Sequence, residues 1–208
     1  AVRSALLPVL GAARHRPTHH RREMHTAMDL CFGLLPFGLF GGYLIMRIFA
    51  PLAFPAEYLD GTHGASAVDV FTVLLAGWGL TLLATPTYTS LMAGPYPWRF
   101  TLFILLVLTA AVVLGYTLIV LGPAEPGHRL YAAAVASSLS AGALLLLSWR
   151  MSGGMDFVRE RQDDWALALL GMGFVVIGLI SGTHWWLLGL PLFLFTRRGW
   201  QAVRATLD

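Results

Sequence analysis

Hydrophobic positions along this chain come in long unbroken blocks, and the polar positions are gathered into the gaps between them. The first block runs from about Leu30 to Met46, framed by Asp29 and Arg47. Others cover about Val70–Leu91, Phe100–Leu121 and Leu130–Trp149. Each approaches the roughly 20 apolar residues that carry a helix across a hydrocarbon core of about 30 Å. A block of this kind has no polar face to turn to water, so its pattern predicts a helix surrounded by lipid and by other helices. The fold class expected is all-α, a polytopic transmembrane helix bundle.

The connections read as turns. "APLAFPAEYLDGTHGASAVD" carries Pro51, Pro55, Gly61 and Gly64, while "MAGPYPWR" and "GPAEPGHR" are short Pro- and Gly-rich joints. Pro86, inside the second block, is tolerated because a membrane helix accommodates a kink. A longer charged loop, "RMSGGMDFVRERQDD", precedes the last apolar block.

That last block, Trp165–Thr196, contains no Asp, Glu, Arg or Lys. As a single helix it would be about 48 Å long, more than one upright crossing needs. Broken at Ser181–Thr183, it gives halves that are each short of a full span. Arginine placement favours the broken form. With five spans and the N-terminus inside, nine arginines lie inside and five outside; if the chain doubles back, the division becomes twelve to two. Five spans with the last one long or broken are expected, and six segments are the alternative. The domain division follows: 1–27 as a basic His/Arg-rich tail, 28–198 as the transmembrane helical domain, 199–208 as a short C-terminal tail.

Composition reinforces the class. Hydrophobic residues make up 57% of the 208 positions and charged residues 12%, well under the roughly 25% charged of soluble domains. The basic residues are all arginine, and the formal net charge is +3. Arginine clusters beside apolar segments meet anionic lipid at the tail and the charged loop, and nucleic acid is not expected as a partner. The Arg-rich, acid-poor start also fits a mitochondrial transit segment. One cysteine, Cys31, excludes an internal disulfide and reads as a small buried hydrophobe.

Candidate chemistry is sparse. None of the four clear blocks contains Asp, Glu, Lys, Arg or His, whereas proton relays and ion pathways need ionisable groups at membrane depth. His184 in "GLISGTHWWLLG" is the exception. It would be an axial ligand to haem or chlorophyll, or else a histidine hydrogen-bonded to backbone beside the interfacial Trp185 and Trp186. His15, His19, His20 and His25 crowd "RHRPTHHRREMH". Imidazoles bind metals, but Pro17 interrupts the helical spacing of His15 and His19, and a solvated basic tail is the simpler reading. His63 lies near Asp60 and Asp69 without forming a three-ligand set.

Small residues at i, i+4 spacing are more informative. Gly38 and Gly42, then Ala134, Ser138 and Gly142, then Gly178 and Gly182 form stripes that let helix backbones approach closely. Tyr43, Tyr88 and Tyr116 are placed to hydrogen-bond between helices. No P-loop, dinucleotide fingerprint, zinc-protease motif or nucleophile elbow occurs.

The layout, together with "FGLFGGYLIMR" from Phe37 to Arg47, resembles the short five-helix form of haem–copper oxidase subunit III. The chain departs from that family in having no acidic residue in its second and third blocks. It retains only Gly127-His128 of a glycine–histidine pattern, and His184-Trp185-Trp186 comes later than the family's Trp-His pair. The resemblance implies a supporting subunit that holds lipid and binds no redox metal, and it transfers no functional residue.

The expected function is therefore a non-catalytic integral-membrane subunit of a larger, energy-transducing (electron-transport) complex. Its partners would be other membrane-protein subunits, with bound phospholipid, in a bacterial or mitochondrial inner membrane. A self-contained transporter or channel for a neutral solute, using the broken last helix, is one alternative. A haem or pigment protein using His184 is the other.

Overall fold

The computed structural model describes residues 17–61, 64–94, 97–122 and 125–159, with isolated positions 177, 201 and 204. Among the described residues every regular element is a helix. Helix α1 is Pro17–Ala53, a short α2 is Ala56–Leu59, α3 is Ala67–Met92, α4 is Pro97–Leu121, α5 is Pro126–Ser152 and α6 is Gly154–Arg159.

Helix α1 starts at Pro17, whose fixed φ suits a first helical position. It runs without interruption through the basic segment and into the first apolar block. The reason is a stripe at helical spacing. Met24, Met28, Cys31, Leu35, Leu39 and Tyr43 are all buried, so one face is apolar from the basic end onward. Residue 27, expected as the end of a solvated tail, is a buried alanine inside this helix. The helix stops where Pro55 removes a donor, after Phe54 N–H bonds to the Ala50 carbonyl at 2.9 Å.

Gly61 and Gly64, at φ +68° and +108°, turn the chain back. Ser66 then caps α3 in a reciprocal box with Asp69, each residue's side chain receiving the other's backbone N–H at 3.2 Å. Helix α5 opens on Pro126 and closes on Gly153, left-handed at φ +74°. Such a cap turns the chain sharply into α6.

The long helices alternate in direction and stand in a row. Helix α3 packs most extensively on α5 and, on its other side, on α1; α5 packs in turn on α4. Helices α3 and α4 barely touch along their length. Helix α6 folds under the basic end of the row, where Phe157 is fully buried.

Among the described residues, three helices are long and apolar enough to cross a membrane: Ala67–Met92, Phe100–Leu121 within α4, and Pro126–Ser152. The chain is a helical membrane protein. The first expected span, Leu30–Met46, lies within α1, whose described apolar portion Gly41–Ala53 is shorter than a crossing. The segment Trp165–Thr196, on which the fifth span depends, lies outside the described residues apart from Ile177, as does the C-terminal boundary at 198.

Candidate functional site

The polar groups at membrane depth converge on the contact between α3 and α5. Gly77 lets Ser138 in so closely that a Cβ there would lie 2.6 Å from the Ser138 hydroxyl and 3.0 Å from its Cα. Ser138 Oγ donates across the gap to the Val73 carbonyl at 2.7 Å. Three turns nearer the basic end, Thr87 Oγ1 donates to Ser148 Oγ at 2.9 Å, and Ser148 Oγ to the Leu145 carbonyl at 2.9 Å. The Ala84 carbonyl, also 2.9 Å from Thr87 Oγ1, is the alternative acceptor for the single threonine proton. Both hydroxyl side chains are wholly buried.

Pro86 has no N–H to give the Leu82 carbonyl four residues back. In the same turn Thr87 reaches the Ala84 carbonyl, and the Trp149 indole N–H of α5 reaches the Leu83 carbonyl at 3.5 Å. Other hydroxyls close onto their own helix. Thr72, Thr81, Thr85 and Thr89 of α3 each donate to the carbonyl four residues back, at 2.7–3.0 Å. Thr109 and Thr117 of α4 and Ser140 of α5 do the same.

A cleft of about 340 Å³ lies between α3, α4 and α5, where the first two diverge. Trp78 and Ile104 stand on its sides, and Ser137, Ser140 and Thr81 line it among leucines.

At the basic end the histidines separate instead of converging. His20 Nε2 meets Ser90 Oγ of α3 at 2.7 Å. His25 is buried with its ring edge-on to Phe157 of α6, centroids 4.9 Å apart. His19 faces outward to Glu23 at 3.4 Å, one turn along the same helix. Arg21 reaches Asp156 of α6 at 3.8 Å. These contacts fasten α1, α3 and α6 together, and among the described residues no group of three His, Cys, Asp or Glu is placed to hold a metal ion. From residue 17 on the segment is helical, with His19, Arg21 and Arg22 exposed and Met24, His25 and Ala27 buried. The signal that could have revealed it is the spacing of Met24, Ala27 and Met28 between the charges.

Of the small-residue positions, Gly38 faces the Trp78 ring and Gly42 faces Leu75, both on α3. Ala134 is buried, Ser138 makes the bond described, and Gly142 lies in ordinary contact distance of Leu80. Gly178, Gly182 and His184 lie outside the described residues, as do His15 and His63. Missed in the sequence were Gly77 and Gly79. Two positions apart on a helix they point to nearly opposite sides, Gly77 toward Ser138 of α5 and Gly79 toward Leu35 of α1. A search for glycine pairs at i, i+4 passes over them. Tyr43 accepts from Arg47 Nε within its own helix at 3.1 Å, Tyr88 lies edge-on to Phe100 at 5.3 Å, and Tyr116 is exposed on α4.

Compared with known proteins, the chain matches no family model, no curated protein and no solved structure.

Proposed function

We propose that this chain is a non-catalytic integral-membrane subunit that packs against partner helices and holds lipid within a larger complex. The observation that carries this reading is the use of the hydroxyl groups at membrane depth. The Thr87–Ser148 and Ser138–Val73 bonds tie α3 to α5, and seven further hydroxyls bond to their own helix backbone. Such groups hold a bundle together. The outer sides of α4 and of the last turns of α1 add an extensive apolar surface, with Leu106, Val112, Phe49 and Leu52 all exposed, for lipid or a neighbouring subunit.

Orientation follows from arginine placement. The ends of α1, α4, α5 and α6 that share the basic side carry Arg21, Arg22, Arg99, Arg150 and Arg159, against Arg47 and Arg129 at the opposite side. The positive-inside rule places the basic side on the cytoplasm or matrix face. An electron-transport setting rests on the resemblance along Phe37–Arg47.

The test is purification in mild detergent through a tag on this chain, with mass spectrometry of stoichiometric companions. Co-purification with redox or other catalytic subunits is expected. Recovery alone, or only with further copies of itself, overturns the reading.

A further inference from the structure

Helix α5 stands between α3 and α4 and leaves two sides open. One is the cleft described above, where Ser137, Ala141 and Leu144 of α5 face Ile104 and Leu108 of α4. The other lies about half a turn round α5, along Leu139, Leu146 and Arg150, all exposed. Helix α4 meets α5 along Ile104, Val107 and Ala111. Its stripe of Arg99, Phe103 and Leu106, at i, i+4 and i+7, falls on the side of that seam away from Leu108 and the cleft. The two stripes therefore share one face of the molecule.

Gly115 and Ala136 fix how the helices match along their length, because a Cβ on the glycine would lie 3.6 Å from that of the alanine. Counting back along α4 and forward along α5 from that contact brings Thr101 level with Arg150. Arg99 lies about 3 Å further toward the basic side, two residues along α4. Packed helix axes are about 8–10 Å apart, so both arginines belong to one patch the size of a lipid head group.

Charge on this patch has one sign. Arg99 is the only Asp, Glu, Lys or Arg of α4, and α5 has Arg129 at its far end and Arg150 at this one. The carboxylate nearest to Arg150 in sequence, Asp156 of α6, meets Arg21 at 3.8 Å. Glu23 and Asp29 belong to α1, on the other side of α3. Inward from Arg150 the stripe is Leu146, Ala143 and Leu139, apolar for about 16 Å, the hydrocarbon depth of one leaflet. Two guanidinium groups above a stripe of that length match a phosphodiester with acyl chains attached. An anionic lipid gains from both charges, whereas a zwitterionic one brings its own ammonium into the same positive field.

We propose that this face of α4 and α5 seats an anionic phospholipid of the basic-side leaflet, with its phosphate between Arg99 and Arg150 and its acyl chains along Phe103, Leu146 and Leu139. The inference rests on the lipid-holding reading above and gives it a place and a head-group charge. It does not depend on which subunits accompany the chain.

The test uses the full chain in phosphatidylcholine nanodiscs with traces of two photoactivatable lipids of identical chains, a phosphatidylglycerol and a phosphatidylcholine. The phosphatidylglycerol probe is expected to label α4 and α5 near Phe103, Leu139 and Leu146 more strongly. Arg99→Gln and Arg150→Gln should each lower that labelling about fivefold, the scale of one arginine at an anionic surface. Both should leave phosphatidylcholine labelling unchanged, and Arg129→Gln at the opposite side should change neither. On the unsubstituted chain, raising the salt from 0.1 to 1 M should shrink the preference, because it shortens the Debye length from about 10 to about 3 Å. Equal labelling by the two probes at low salt, no effect of either arginine substitution, or phosphatidylglycerol labelling concentrated in the cleft on the other side would each overturn the proposal. So would loss of labelling whenever companion subunits are bound, since a protein would then cover this face. Labelling as expected from a chain that purifies alone would retain this site while removing the accessory-subunit reading.

Discussion

Helices α3 and α4 are both long enough to span a bilayer, yet they are built to opposite rules. In the apolar window of α4 no residue is buried inside the protein, whereas 33% of the window of α3 is. The buried helix is the more polar one, with Thr72, Thr87, Thr89 and Ser90 among its enclosed residues. In water the greasy helix would be inside. Here lipid takes the outer apolar surface at no cost, and the interior goes to residues that are small or can bond across a contact. Helix α4 meets α5 only along a seam of partly covered positions, Ile104, Val107, Ala111, Gly115 and Leu118, spaced three or four apart.

The sharpest way to break this contrast is one substitution made on both sides of α5. Gly77→Ala would place a Cβ 2.6 Å from Ser138 Oγ, against backbone that cannot withdraw, and should cost about 2 kcal/mol. Gly115→Ala meets Ala136 Cβ at 3.6 Å, an ordinary contact, and should change stability by no more than about 0.5 kcal/mol. Thermal unfolding in detergent reads both. Equal losses would mean that α4 is held as tightly as α3.

A smaller effect isolates the hydroxyl contact. In a double-mutant cycle of Thr87→Val and Ser148→Ala, the coupling should be about 0.6 kcal/mol, the average for hydrogen bonds between membrane helices. A coupling indistinguishable from zero would remove Thr87–Ser148 as a fastening. Smallest of all, Leu106→Ala on the outward side of α4, where the side chain is 65% exposed, should change stability by under about 0.5 kcal/mol. A loss typical of a buried leucine would show that a neighbouring chain, not lipid, covers that face.

Much of this architecture was legible in the sequence because charge marks the ends of a membrane helix. Asp69, Arg99, Arg129 and Arg150 delimit α3, α4 and α5 to within a few residues of their observed ends. Two features were hidden because one apolar residue among charges looks accidental. Phe157 in "GMDFVR" is the buried anchor of α6, and the arginines and histidines of α1 conceal the stripe from Met24 to Met28. The α3–α5 contact was half visible. Ser138 lay in a recognised stripe, while its counterpart Gly77, four residues before Thr81, did not stand out.

The threonines of α3 also bear on how the protein is made. A segment leaving the ribosome is sorted into the bilayer by its own side chains, and α4, rich in leucine and valine, enters on those terms alone. Helix α3 is less well suited to lone residence in lipid, with its kinking proline and glycines, and its Thr87 finds Ser148 only after α5 has been synthesised. The third long helix carries its apolar surface from the outset, whereas the Thr87–Ser148 contact of the second forms only once the fourth is in place.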